Sequence, residues 1–198
     1  MSTITPMIQT PSVNFKGSVK RSDKGTPYYA TDMGAKLFGG IGAAATVINT
    51  LALPNKAATF IGSAIGAGIL YSFGHYIDNK RNQHAAEAAD YIRAVGAQKA
   101  LENNDKIRVA DNGHLYYHSN DGRKYLTGIC AGLGAIGGIG SAMFVNELAK
   151  NVPNMPKFSK AGAMLAFPLL GAAYGAFCGW IDGLIVDWLN NRSAKKHA

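Results

Sequence analysis

Hydrophobic and polar positions are sharply segregated along this chain of 198 residues. Four stretches of 19 to 22 residues carry almost no charge, and they occupy residues 37–55, 57–77, 125–146 and 161–181. A helix needs about 20 apolar residues to cross the hydrocarbon core of a bilayer. The pattern therefore predicts a mostly α-helical, integral membrane protein with four transmembrane helices. A soluble, glycine-rich helical bundle is the alternative.

Glycine recurs inside these apolar stretches at a spacing of four residues, which places it near one face of a helix. Each interior glycine costs about 1 kcal/mol relative to alanine in a helix in water. Between membrane helices, however, small residues let two backbones approach closely. We therefore predict glycine-zipper packing between the helices. The predicted helix-packing residues are Gly62, Gly66, Gly74, Gly128, Gly132, Gly171, Gly175, Gly179 and Gly183.

A short β-prone segment with a central turn precedes the first helix of each pair. The second such segment contains Asp111-Asn112-Gly113, and an Asn-Gly turn favours a hairpin because both residues tolerate positive φ. We predict β-hairpins at 19–30 and 107–118, and we expect them to pair into one small sheet on one membrane face. The predicted hairpin-face residues are Tyr28, Tyr29, Tyr116 and Tyr117.

The first part of the chain aligns with its middle after a shift of 88 residues. Residues 23–36 and 111–124 share the pattern D-x-G-x-x-Y-Y-x-[ST]-[DN]-x-G-x-K. The second helices align after a change in loop length, with Gly62, Gly66, Gly74 and Asp78 matching Gly171, Gly175, Gly183 and Asp187. Each copy crosses the membrane twice, so the interpretation is a parallel internal repeat of two tandem helical hairpins.

The region between the copies, residues 79–105, is charged and alanine-rich, with apolar residues at helical spacing. This spacing predicts an amphipathic connecting helix. Two interpretations stay open. The helix packs on the protein's own hairpins, or it binds a partner or the membrane surface.

The predicted organisation follows the chain. It begins with a polar N-terminal segment at 1–18 and repeat unit 1 at 19–78, which contains transmembrane helices at 36–54 and 57–77. The connecting helix at 79–105 follows. Repeat unit 2 at 107–189 contains transmembrane helices at 125–146 and 161–183, and a basic tail at 190–198 ends the chain. No cleavable signal peptide is predicted, so the first apolar stretch would direct insertion.

Charge bears on orientation and on partners. The side that holds both termini and the connecting helix carries 16 of the 20 Lys and Arg residues, and the positive-inside rule places that side in the cytoplasm.

The net charge of +8 does not favour nucleic acid, because the basic residues are scattered and do not form a stripe with interleaved aromatic residues. Attraction to anionic lipid headgroups is the simpler interpretation. The predicted partners are the lipid bilayer and, through self-association, further copies or other membrane proteins.

The polar residues near the helices predict no catalytic, cofactor or metal site. Asp182 and Asp187 fall at a helix end where water has access, and no charge lies in the middle of an apolar stretch. His114 and His118 lie four residues apart without further ligands to complete a metal site. Cys130 and Cys178 lie within apolar stretches and are interpreted as reduced core residues. We find no nucleophile with a base, phosphate-binding loop or carboxylate dyad, and we predict that the chain is not an enzyme.

Residues 111–122 resemble the aromatic hairpin repeat of choline- and glucan-binding surface proteins. Those repeats normally carry a tryptophan before the tyrosine pair, where this chain has His114-Leu115. The resemblance supports a hairpin and does not imply that the chain binds sugar or choline.

The functional prediction is a structural, scaffolding or assembly role based on glycine-zipper packing. The first alternative is an oligomeric pore or passive conduit. In gross design the chain is similar to the four-helix mitochondrial inner-membrane translocase family, but it lacks that family's arginine-then-aspartate signature across the second and third helices. The second alternative is a microbial protein that inserts into a host membrane.

Overall fold

The computed structural model describes residues 18–52, 55–151 and 160–197, which form five helices and four short strands. In chain order the elements are β1 (Ser18–Arg21), β2 (Pro27–Ala30), α1 (Met33–Ala52), α2 (Lys56–Val95), α3 (Ala97–Asn103), β3 (Ile107–Val109), β4 (Leu115–Tyr117), α4 (Asp121–Asn151) and α5 (Lys160–His197). The predicted N-terminal segment lies almost entirely outside the described residues.

Four of the helices, α1, α2, α4 and α5, are long and apolar enough to cross a membrane. Only 6 to 22% of the residues in their most apolar 18-residue windows are buried. Large apolar side chains such as Ile48, Ile136 and Leu169 are therefore exposed along these helices. A soluble bundle turns such side chains inward. The prediction of a mostly helical chain with four helices of membrane-spanning length is confirmed.

Two of these helices are much longer than their apolar parts. The sequence predicts a transmembrane helix at 57–77 and a separate connecting helix at 79–105, but α2 runs through the first and most of the second as one helix of 40 residues, and α3 follows it. No glycine or proline occurs between residues 75 and 95, so nothing in the chain interrupts the helix. It ends at Gly96, whose φ of 87° is a conformation that favours glycine. In the same way, α5 continues through the predicted basic tail to His197.

One compact unit comprises the described residues up to Ser119 together with residues 186–197. It contains both hairpins, and each is a separate two-stranded antiparallel sheet. Val19 pairs with Tyr29 in the first hairpin, and Ile107 pairs with Tyr117 in the second. The expectation of one shared sheet is wrong. Both β2 and β4 contact α2, so the hairpins pack against a helix and not edge to edge.

A small apolar core joins the second half of α2 to the second hairpin. Ala85 and Ala88 pack with Ala100 of α3 and with Ile107 and Tyr117 of the hairpin. The alanines present little bulk, which lets the strands approach the helix closely. This part of the predicted connecting helix therefore packs on the protein's own hairpins, which is the first of the two interpretations left open by the sequence.

The second compact unit comprises residues 120–185 and contains α4 and the first part of α5. The two helix segments pack against each other through small residues. Ala142 on α4 and Ala163 on α5 are both fully or almost fully buried.

Candidate functional site: glycine seams and a buried polar junction

The four-residue glycine ladder of α5 lies directly against the backbone of α4. A Cβ atom at Gly171 would collide with Gly134, one at Gly175 with Cys130, one at Gly179 with Leu126 and one at Gly183 with Gly122 and Arg123. Moving four residues forward along α5 moves the contact point about four residues backward along α4. The contact is an antiparallel seam in regular register, which we call the α4–α5 seam, and glycine is what lets its two backbones approach.

A second close helix contact lies between α1 and α2. A Cβ at Gly74 would collide with the backbone of Gly34 and Ala35, and one at Gly42 would lie 2.7 Å from the Cα of Ala67. The Gly74 contact corresponds to the one at Gly183, because both glycines meet the first turn of the preceding long helix. We call this contact the α1–α2 seam.

The predicted helix-packing glycines fall into two groups. Gly74, Gly171, Gly175, Gly179 and Gly183 lie in the seams. The other four predicted glycines are Gly62, Gly66, Gly128 and Gly132. A Cβ added at any of them would lie more than 4 Å from every atom of a neighbouring helix among the described residues. Within the described chain those four positions pack against no second helix.

The sequence prediction omitted several seam residues, among them Gly34, Gly42, Gly134 and Gly138. For α4 a signal was present in the sequence. Three small residues recur at a spacing of four, at Gly134, Gly138 and Ala142, whereas the spacing that begins at Gly128 and Gly132 reaches the bulky Ile136. The longer ladder is the one that faces α5.

A buried carboxylate caps the start of α1 from a neighbouring helix. Asp78 of α2 is only 1% exposed, and its two carboxylate oxygens accept hydrogen bonds from the backbone N–H of Gly34 at 3.0 Å and of Ala35 at 2.8 Å. Free N–H groups and the positive end of the helix dipole favour an anion at this position. Asp78 thus joins α1 to α2 at the same place as the Gly74 contact.

Each β-hairpin is fixed by one asparagine that bonds the backbone of the segment after its last strand. The side chain of Asn82 accepts from Thr31 N–H and donates to Thr31 C=O, both at 2.9 Å. The side chain of Asn191 bonds Ser119 in the same way, at 2.7 and 2.8 Å. We call these two arrangements the asparagine clamps. Because Thr31 and Ser119 are buried, the clamps supply partners that water cannot.

The end of α5 also reaches the first hairpin. The hydroxyl of Thr31 donates to Asn190 Oδ1 at 2.8 Å, and the hydroxyls of Tyr29 and Ser193 are hydrogen-bonded at 2.8 Å. On α2, Arg81 is 1% exposed and donates from Nη1 to the carbonyl oxygen of Tyr29 at 2.6 Å. We call Thr31, Asp78, Arg81, Asn82 and Asn190 the polar junction. Its buried polar groups hold the first hairpin, α1, α2 and the end of α5 together.

The four hairpin tyrosines do not share one face, because successive residues of a strand point to opposite sides. Tyr117 is buried in the apolar core, and Lys106 Nζ lies 6.0 Å from its ring centroid. The Arg81 guanidinium lies 5.9 Å from the ring centroid of Tyr29. A choline-like ligand requires an open aromatic surface for its cation. Here the protein's own cations occupy positions over two of the four rings.

Two further polar contacts lie in the same unit. The hydroxyl of Ser22 donates to Asp90 at 2.6 Å, and this hydrogen bond lowers the pKa of Asp90, with Thr26 contributing to the same effect. Lys195 forms an ion pair with Asp111 at 2.8 Å, which raises the pKa of the lysine. The ion pair is exposed to solvent and contributes little to stability.

The structure brings no metal-binding group together in the part of the chain that it describes. There, no three His, Cys, Asp or Glu side chains are placed to hold a metal ion. Cys130 and Cys178 are free and partly buried.

No protein-family model matches the chain, no curated protein is similar to it, and no solved structure is similar to it. The fold defines the class as a helical protein with four helices able to span a membrane.

Proposed function

We propose that this chain is a multi-pass membrane protein with a structural, scaffolding or assembly role, in which glycine seams hold pairs of transmembrane helices together. The polar junction and the two hairpins, which we call the cap, belong to one compact unit. Following the distribution of Lys and Arg, the cap and both termini lie in the cytoplasm.

The observation that carries the proposal is the regular register of the α4–α5 seam. Four consecutive glycines of α5 contact backbone of α4 at matching intervals, from Gly171 to Gly183. In lipid, apolar burial does not drive helices together, so close packing of small residues is a main source of their affinity. A chain that places four glycines in one seam, at a cost in helix propensity, favours a role that depends on fixed helix packing.

The matched contacts in the two halves support a duplication. Thr31 and Ser119 are related by the shift of 88 residues, and Asn82 and Asn191 are related by the alignment that matches Asp78 with Asp187. Both pairs form the same two hydrogen bonds. We interpret the chain as two copies of one unit, each made of a β-hairpin, a helix, a turn and a second helix.

A pair of leucine substitutions tests the proposed packing role. In Gly175→Leu the new side chain enters the seam against Cys130, so the helices must separate, which costs about 1 to 3 kcal/mol or more. In Gly132→Leu the same change occurs at a position with open space. We expect Gly175→Leu to lower thermal stability in detergent and to change the elution volume in a sizing run. Gly132→Leu is expected to retain both properties.

Equal behaviour of the two variants would contradict the proposal, since it would mean that the seam does not hold the helices. The pore alternative is tested with the same proteins in liposomes. A pore predicts release of a trapped solute by the wild type and loss of release in Gly175→Leu. A scaffold predicts tight liposomes with both proteins.

A further inference from the structure

The exposed apolar faces of α2 and α5 both end in an aromatic residue. On α2 the last large exposed apolar side chain is Tyr76, at 44% exposure, and on α5 it is Trp188, at 56% exposure. From Phe60 to Tyr76 the apolar face is about 24 Å long, and from Leu165 to Trp188 it is about 35 Å long. These lengths bracket the roughly 30 Å of a hydrocarbon core. Tyr76 and Trp188 therefore lie in the interfacial region at the end of each apolar face, at headgroup depth.

A cation follows each of these aromatic residues one helical turn later and lies near its ring. Lys80 Nζ is 6.0 Å from the ring centroid of Tyr76, and the Arg192 guanidinium carbon is 5.2 Å from that of Trp188. The ring holds the cation close to the surface of the helix at headgroup depth. In the other compact unit, Lys124 Nζ likewise lies 5.4 Å from the Tyr125 ring.

Neither of these two cations is held by a carboxylate, in contrast to Lys36 and Lys195 of the same unit. Lys36 is paired with Asp32 and Lys195 with Asp111, both at 2.8 Å. Among the described residues, neither Lys80 nor Arg192 has a carboxylate within ion-pair distance. Asp78, the acid nearest to Lys80 along α2, is turned into the polar junction and bonds the start of α1. Their charge is thus available to an external anion.

We infer that Lys80 with Tyr76, and Arg192 with Trp188, are two binding positions for the headgroups of anionic phospholipids. The aromatic ring lies against the upper part of the acyl chains, while the cation contacts the lipid phosphate. A zwitterionic headgroup carries its own cation and gains less from Lys80 or Arg192. Each lysine or arginine near an anionic surface is worth about fivefold in affinity. The inference rests on the membrane insertion proposed above.

The test is a lipid competition on the purified full-length protein in non-ionic detergent. Short-chain phosphatidylglycerol and phosphatidylcholine are added in equal amounts, and bound lipids are counted by native mass spectrometry. We expect the wild type to prefer phosphatidylglycerol. This preference is expected to fall about fivefold in Lys80→Gln and about fivefold in Arg192→Gln. Lys99→Gln on α3 removes an exposed lysine that lies over no aromatic ring among the described residues, and it is expected to leave the preference unchanged.

Two further measurements keep the result decisive. Arg192→Lys retains the charge and is expected to retain most of the preference, which separates loss of charge from loss of fold. Excess sodium phosphate is expected not to displace the lipid. Displacement by free phosphate would overturn the assignment to a lipid, and an unchanged preference in both glutamine variants would overturn the two positions. The Gly175 experiment measures helix packing and not headgroup choice, so either proposal can fail alone.

Discussion

The asparagine clamp at Asn82 offers a sharp test of how the hairpins are held to the helices. Replacing Asn82 with leucine keeps the approximate size of the side chain and removes both of its hydrogen bonds to Thr31. Thr31 is buried, at 6% exposure, so water does not readily replace the lost partner. The variant leaves one backbone N–H and one backbone C=O without their partner.

The expected cost follows from these two groups. A buried polar group that loses its partner costs about 1 to 3 kcal/mol, so Asn82→Leu should destabilise the protein by about 2 to 6 kcal/mol. The polar junction adds to this cost, because Arg81 Nη1 also lies 3.4 Å from Asn82 Oδ1. A loss near the lower limit would indicate that the segment at Thr31 shifts and regains water.

The matched control is Asn79→Leu, which makes the same substitution on the same helix at an exposed position. Surface substitutions of this kind usually change stability by about 0.5 kcal/mol or less. Both variants are unfolded in mixed micelles with increasing denaturing detergent, and the free energies of unfolding are compared. If Asn82→Leu is as mild as Asn79→Leu, the clamp does not hold the hairpin and the reasoning is wrong.

Two other contacts of the cap give predictions of their own. Asp78→Asn removes the buried carboxylate that caps α1 and should lower the free energy of unfolding by about 1 to 3 kcal/mol in the same assay. Asp32→Asn breaks only an exposed ion pair and should lower it by about 1 kcal/mol or less. Equal losses of stability in the two variants would contradict the capping role. Truncation after Leu189 removes the hydrogen bonds and the ion pair that Asn190, Asn191, Ser193 and Lys195 make to the hairpin segments, and it should make both hairpins sensitive to trypsin. Truncation after Lys195 keeps these interactions and should not. Equal digestion rates would show that this end of α5 does not protect the hairpins.

The long helices and the hairpins were predictable because they depend on local patterns. Apolar stretches of membrane length give α1, α2, α4 and α5, and the glycines with positive φ at Gly25 and Gly113 give the two turns. Helix ends were less predictable. The polar residues after 77 and after 183 suggested boundaries, but neither 78–95 nor 184–197 contains glycine or proline, so both helices continue beyond their apolar parts.

The seams were predictable only in part, because periodicity identifies a small-residue face without identifying its partner. On α5 the small residues from Gly171 to Gly183 form one face of the helix, and this face lies in the α4–α5 seam. On α4 two small faces compete, and only the register with α5 selects the one through Gly134. The polar junction gave no sequence signal of its own. Thr31, Asp78 and Asn190 are far apart in the chain, and each is an ordinary polar residue whose partners come from other elements.

The proposed duplication explains how the junction is divided between the copies. Asn82 and Asn191 occupy equivalent positions and keep the same role, each fixing the hairpin of its own copy. The positions just before them have diverged to Arg81 and Asn190, and both side chains are buried at 1% exposure. Arg81 bonds the hairpin of its own copy, while Asn190 accepts from Thr31 of the other copy. Under the proposed duplication, the hydrogen bond between Thr31 and Asn190 links a residue of one proposed copy to a residue of the other within one compact unit. A fixed link of this kind fits the scaffolding role proposed above.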